Sequence, residues 1–220
     1  MSVMRIQKYL SQKGVMSRRE AEEYIRQGKI LLNGNVVKEM GVQIDPEKDK
    51  IEVLRGPNDE KKITVAIYKP RGIVCSRNPA EGKSVFDIFP QYSHLNFVGR
   101  LDKESEGLLL LSNDGVVTAK ITSEDHLVEK EYEVTTREPV MPNHLRRMEE
   151  GIMLDGKKTL PAKAERLSRN SFSLILREGR NHQIRRMADA VHLTIERLVR
   201  TRIGDITLSG LTPGKSRAIF

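Results

Sequence analysis

The clearest hydrophobic signal in the chain is an unbroken apolar run at residues 108–111, LLLL, flanked by glycine and serine. A short run without alternation suits a strand covered on both faces, which places it in the core. Residues 129–134, EKEYEV, alternate instead: Lys130, Tyr132 and Val134 face one way and the three glutamates the other. That pattern predicts a half-buried strand with Tyr132 on its inner side. Ile184, Met187, Ala188 and Val191 follow i, i+3, i+4, i+7, the spacing of one buried helical stripe. Pro142 suits a first helical position, with Leu145 and Met148 as stripe and Gly151 as stop.

The first sixty residues carry their own pattern. Ile6, Tyr9 and Leu10 have helical spacing, and Gly14 closes the turn after them. Ser17 and Glu20 form a capping box that opens a second helix, burying Ala21, Tyr24 and Ile25 and ending at Gly28. Asn33-Gly34 between apolar runs predicts a hairpin, and residues 42–53 add one short strand or two. Residues 55–62, RGPNDEKK, read as a linker. Beyond it lie a β-rich stretch at 63–68 ending in the turn Lys69-Pro70-Arg71-Gly72, and one helical turn at 84–89 stopped by Pro90. A short helix at 116–121 follows, then paired strands at 162–167 and 172–176 around Asn170. A basic strand at 195–206 and an edge strand at 216–220 complete the reading. Strands and helices mix without strict βαβ alternation, so the fold class is α+β, with domains at 1–58 and 59–220.

Composition narrows the function. The net charge of +8 over 220 residues favours a polyanionic partner. Cys75 is the only cysteine, which excludes a disulfide framework or a cysteine zinc cluster and suits a reducing compartment. The five histidines show no ligand spacing, so no metal site is expected. No run approaches the ~18 apolar residues of a membrane span, and MSVMRIQKYL lacks a signal-peptide core; the expected location is cytoplasmic. Residues 210–216, GLTPGKS, fall one residue short of a phosphate loop, with Ser209 where its first glycine belongs.

Candidate chemistry gathers in three stretches. In VGRLDKESEGLLLLSNDG (98–115), Asp102 stands between Arg100 and Lys103, bracketed by Gly99 and Gly107, whose freedom suits a tight loop. A carboxylate on a loop stiffened by a buried strand is a common carrier of binding or catalysis, although an Asp beside an Arg more often only caps a turn. Asp102, Glu104 and Glu106 are too close in sequence to straddle a sugar unless the loop folds back, which disfavours a glycosidase. In REGRNHQIRRM (177–187), Arg185 lies about 100° from Ile184, at the edge of the buried stripe, while Arg186 lies about 200° away, toward solvent. Arg185 can therefore reach a cleft, although such arginines more often snorkel at the surface. Tyr132, inward on its strand, is more often core than catalytic. Arg5, Lys8, Arg18, Arg19, Arg26 and Lys29 crowd the first two helices but interleave with Glu20, Glu22 and Glu23. On charge alone they fit a solvated face as well as an RNA face.

RIQKYLSQKGVMSRREAEEYIRQGKILLNGNVV resembles the S4 RNA-binding domain. GRLDKESEGLLLLSNDG, EKEYEV and REGRNHQIRRM together are similar to the signature stretches of the RsuA/RluB/RluE/RluF family of ribosomal RNA pseudouridine synthases. The likeness extends through LVRTRIGDITLSGL to the closing PGKSR, essentially the whole chain. It implies a long, mostly antiparallel sheet with flanking helices and a cleft across its middle. It also implies isomerisation of a uridine in ribosomal RNA, expected to be 23S, without cofactor or metal: the C1′–N1 bond breaks, the uracil turns, and C5 bonds to C1′. By this resemblance Asp102 is the nucleophile or charge-stabilising carboxylate, attacking C1′ or C6, and Arg185 supplies the neighbouring guanidinium that keeps it ionised. Tyr132 stacks on the uracil, and Arg100 fills the space left when the base flips out. The S4 helices and following turn hold RNA by phosphates and shape. The expected partner is ribosomal RNA, free or pre-ribosomal, bound by a monomer with no membrane involved. A 16S-directed synthase and a non-catalytic S4-type binder are the alternatives; the latter predicts a degenerate trio, whereas Asp102, Tyr132 and Arg185 are all present.

Overall fold

The computed structural model describes residues 3–54, 61–123 and 126–219. Most of the predicted linker and the 58/59 boundary fall outside the described residues, as does Phe220 at the end of the predicted edge strand. Contacts divide the chain into two units, one of Met1–Thr64 with Ser112–Lys120, the other of Val65–Leu111 with Ile121–Ile219.

In the first unit, β1 (Met4–Arg5) leads into α1 (Ile6–Gln12) and α2 (Arg18–Arg26). The capping box forms as predicted: Glu20 N donates to Ser17 Oγ at 3.2 Å and Ser17 N to Glu20 Oε2 at 2.9 Å. Then come β2 (Ile30–Leu32), β3 (Asn35–Val36), β4 (Gln43–Ile44) and β5 (Ile51–Val53). Asn33 and Gly34 both take positive φ, 52° and 82°, the geometry a two-residue hairpin needs. Residues 42–53 resolve into two strands serving different sheets: β4 pairs with β1, and β5 with β2. Ile6, Leu10, Ala21, Ile25, Ile30 and Ile44 form a core of the unit's own, while Tyr24 is only half-buried against it.

The second unit is built on one large sheet. Its elements are β6 (Thr64–Lys69), α3 (Val85–Ile88), β7 (Asn96–Val98), β8 (Glu106–Ser112), β9 (Lys130–Thr136) and α5 (Pro142–Glu150), whereas α4 (Gly115–Thr122), between β8 and β9 in the chain, falls mostly in the first unit. They continue with β10 (Met153–Leu154), β11 (Lys157–Lys158), β12 (Lys163–Arg166), β13 (Ser171–Leu176), α6 (Gln183–Ala190), β14 (Ile195–Ile203), β15 (Ile206–Thr207) and β16 (Ser216–Ala218). The sheet runs β12-β13-β9-β14-β8-β6-β16, with β15 on β14 and β7 on β8. The β14–β8 pair is parallel and the β12–β13, β13–β9, β9–β14 and β16–β6 pairs are antiparallel. The predicted basic strand is shorter than expected, because Gly204 at φ 53° turns the chain back into β15.

The leucine run is covered on both faces, as its lack of alternation required: Leu108 to Leu111 are all fully buried. Leu108 and Leu110 join Ala66, Val98 and Ile203 in one cluster. Another cluster lies where Val134, Phe172 and Leu174 of the sheet meet Leu145 and Met148 of α5 and Ile184 and Met187 of α6. This packing fixes α6 against the sheet, and with it the residues just before and inside its first turn. No described helix is long and apolar enough to cross a membrane.

Candidate active site

An open cleft of about 720 Å³ in the second unit is lined by Arg100, Asp102, Tyr132, His182, Arg185 and Arg200, among others. They arrive from four places: the loop between β7 and β8, strand β9, the entry to α6, and strand β14.

The loop that carries Asp102 is tied down carbonyl by carbonyl. Asp102 O accepts from Ser105 N at 3.1 Å, and Lys103 O from Gly72 N at 2.8 Å. Glu104 O accepts from Arg185 Nη2 at 3.0 Å and Ser105 O from Lys69 Nζ at 2.7 Å. Leu101 N donates to Cys75 Sγ at 3.5 Å. Backbone groups so completely paired leave the loop little freedom, which is what a reacting carboxylate requires. Gly107 anchors its far end: a Cβ there would lie 2.4 Å from Arg200 O and 2.7 Å from Arg200 N, so only glycine lets β8 and β14 approach at this point. Beneath the loop, Lys69 is wholly buried; burial holds its ammonium below the ordinary lysine range, against the pull of Cys75, Asp102, Glu104 and Glu106. Burial also pushes the Cys75 thiol up.

The Asp102 side chain is one-third exposed, and its Oδ2 lies 3.2 Å from His182 Nδ1. His182 caps α6 in a left-handed conformation, φ 48° and ψ 29°. Arg185 reaches the cleft, as the helical wheel predicted, while Arg186 turns to Asp155 Oδ1 at 2.6 Å. The expected contact between Arg185 and the Asp102 carboxylate is not made, however. From the first turn of α6 its guanidinium meets the loop backbone instead, bonding Glu104 O and, at 3.4 Å, Ser105 Oγ. Arg185 thus fixes the loop, and His182 stands beside the carboxylate. Tyr132 lines the cleft half-buried, packed on the cluster beneath the sheet, and Arg100 stands exposed at the rim. Glu104 and Glu106 are engaged elsewhere, on Arg71 Nε at 2.8 Å and Arg197 Nε at 2.6 Å. Asp102, Glu104 and Glu106 are therefore not assembled as the carboxylate pair of a glycosidase.

His182, Lys69 and Cys75 escaped the sequence reading. His182 lies inside REGRNHQIRRM, where spacing offers it only as a metal ligand, and Lys69, which the sequence places in a turn, is the buried end of β6. In the first unit, Arg5, Lys8, Arg18 and Arg19 are exposed and carry no ion pair with any described residue. Arg26 instead pairs with Glu23 at 2.7 Å, and Lys29 lies over the Tyr24 ring at 5.2 Å.

Residues 63–190 match the sequence model of RNA pseudouridylate synthase, and residues 4–50 that of the S4 domain. The chain is 37% identical over 225 residues to ribosomal large subunit pseudouridine synthase B of Bacillus subtilis (strain 168), covering 98% of this chain and 91% of that protein. It is 35% identical to the dual-specificity RNA pseudouridine synthase RluF of Escherichia coli (strain K12), covering 98% and 75%. Ribosomal small subunit pseudouridine synthase A of Haemophilus influenzae is also 35% identical, covering 98% and 96%. A crystal structure of a pseudouridylate synthase aligns at a TM-score of 0.72 and 34% identity, covering 99% of this chain and 96% of its own.

Proposed function

This chain belongs to the RNA pseudouridylate synthase family, and from that premise we propose that it converts uridine to pseudouridine in ribosomal RNA, with large-subunit 23S rRNA as the substrate. The observation that carries the reading is Asp102, a part-exposed carboxylate on a loop whose carbonyls are bound from several sides, lining one cleft together with Tyr132.

The reaction moves no electrons to or from the substrate and adds no group, so what it needs is a nucleophile, a flat support for the base, and a way to open the RNA. Asp102 is the nucleophile, at C1′ or at C6. Tyr132 supports the detached uracil while it turns, and its hydroxyl lies near the C5 hydrogen that must finally leave. Arg185 and His182 set the loop and the carboxylate. Arg100, exposed at the rim, takes the stack position vacated by the flipped base. The S4 module, which we take as residues 1–58 ahead of a catalytic domain at 59–220, grips phosphates through Arg5, Lys8, Arg18 and Arg19, with Arg26 and Lys29 at its flank. The substrate is ribosomal RNA, free or in a pre-ribosomal particle, bound by a monomer. A full set of Asp102, Tyr132 and Arg185 at one cleft supports catalysis over mere RNA binding.

Sequencing pseudouridines in 23S and 16S rRNA from cells with and without the gene tests this. Loss of a defined site from 23S rRNA is the expected result. Loss from 16S rRNA would reassign the substrate, and identical maps would overturn the reading.

A further inference from the structure

The floor of the cleft holds two cations that the assignment above leaves unused. Arg200 on β14 is the register partner of Tyr132 on β9, and Lys130 lies two residues before Tyr132. Cross-strand partners share a face of a sheet, as do residues i and i+2, so both cations lie on the Tyr132 face of the sheet, next to it in register. All three line the cleft. Arg200 is only 5% exposed; its Nε donates to Leu108 O at 2.8 Å and its Nη1 makes a long 3.5 Å contact with Arg100 O. Its Nη2 has no hydrogen-bond partner among the described residues. The Lys130 ammonium makes no hydrogen bond or ion pair with any described residue. Burial, and then the charge of Arg200, hold its ammonium below the ordinary lysine range. The acids lining the cleft are Glu81, Asp102 and Glu178, and none of them bonds either cation. Two mutually repelling cations, one almost wholly buried with a free donor, make a site suited to an anion.

We propose that Lys130 and Arg200 form a subsite for the carbonyl oxygens of the target uracil, receiving the negative charge that enters the ring when Asp102 attacks. The inference rests on the isomerase reading. If the carboxylate bonds C1′, the C1′–N1 bond breaks and its electron pair leaves on the ring, shared with O2 and O4. If it bonds C6, the C5–C6 π pair moves toward O4. In both routes the ring gains one negative charge and no redox equivalent enters or leaves. Donors aimed at a developing oxyanion stabilise the transition state more than the ground state. A backbone phosphate is a poorer fit, because Arg200 lies on the sheet floor beside Tyr132, whereas a solvated phosphodiester meets the exposed Arg100 at the rim.

The test is single-turnover isomerisation at saturating enzyme, with RNA affinity measured at several salt concentrations. For Lys130→Met we expect the saturated rate to fall about 100-fold, with affinity and salt slope unchanged. Lys130→Arg should recover most of the rate, and Arg200→Lys, which keeps charge but loses the fork, should slow the same step. Lys130→Gln is the second variant if the Met form melts early, and it should lose as much rate because an amide carries no charge. A wild-type rate in the Met or Gln variant would overturn the proposal. So would a salt slope flattened by ~0.7 with the saturated rate intact, which is the mark of a phosphate contact. Wild-type protein inactive on both 23S and 16S rRNA would overturn the isomerase reading and this subsite with it.

Discussion

Lys69→Met tests whether the Asp102 loop is held from below. Lys69 is wholly buried, and its Nζ donates to Pro70 O at 2.9 Å, Ser105 O at 2.7 Å and Lys103 O at 3.4 Å. Methionine fills similar volume but donates nothing. Lys103 O keeps Gly72 N at 2.8 Å, so the carbonyls of Pro70 and Ser105 are the ones orphaned. An orphaned acceptor costs about 1–3 kcal/mol when buried, as Ser105 O is, and Pro70 O, only part-buried, sits at the low end. The variant also escapes the cost of burying an ammonium, which offsets part of that loss. The net expectation is about 2–4 kcal/mol, or roughly 4–16 °C in Tm for a unit of this size. Because Ser105 ends the catalytic loop, the acid should also lose its placement, and a 1 Å error costs on the order of 100-fold in rate. The effect depends on pH in a defined direction. Burial depresses the folded pKa of Lys69 below the ordinary 10.5, and below that depressed value both states are protonated and the whole burial cost is present. As pH rises through the depressed value toward 10.5, the unfolded chain binds more protons than the folded one, and the lysine's contribution to stability grows. The gap between wild type and variant should therefore widen from neutral to alkaline pH. Urea melts across that range, with single-turnover rates beside them, supply the data. A variant with wild-type stability and rate would refute the claim that Lys69 supports the loop.

Three further outcomes follow from the same geometry. Arg185→Lys should cut turnover roughly 10–100-fold, because one ammonium cannot replace the fork that meets Glu104 O and Ser105 Oγ. Arg186→Lys should change it only about threefold at most, since its partner Asp155 is exposed; equal losses would refute the division between the two arginines. Arg100→Ala should slow a structured RNA far more than one whose target uridine is already unpaired, as measured by rates on both substrates; equal losses would remove Arg100 from base flipping. Replacing Arg18 and Arg19 by Ala should leave the melting temperature unchanged while flattening the salt slope of RNA binding by ~0.7 for each lost phosphate contact on single strands, and an unchanged slope would take those residues off the RNA face.

Local signals carried much of the architecture. Ser17 and Glu20 cap one another across three residues, Asn33-Gly34 turns a hairpin within two, and the leucine run declares its own burial. The β10–β11 hairpin carries an equally local signal, absent from the expectations above: Asp155-Gly156 is a turn pair with φ of 51° and 74°. The site was legible as residues and not as contacts. Asp102, Tyr132 and Arg185 do share one cleft, but what Arg185 touches depends on how α6 packs against a loop about eighty positions earlier. His182 meets Asp102 across the same gap, and Lys69 meets Ser105 across 36 positions. Arg200 comes beside Gly107 only because β14 runs parallel to β8. Such pairings follow from strand order and register, which no short window of sequence encodes.

The central claim is that Asp102 drives a uridine isomerisation in ribosomal RNA. Joining C5 to C1′ expels the C5 hydrogen into solvent, so the direct measurement is tritium release from 23S and 16S rRNA transcribed with uridine labelled at C5. Wild-type protein should release a small, fixed number of tritium atoms per RNA, and Asp102→Asn should release none while binding the RNA equally well. Release undiminished in the Asn variant, or no release by wild type from either RNA, would contradict the account.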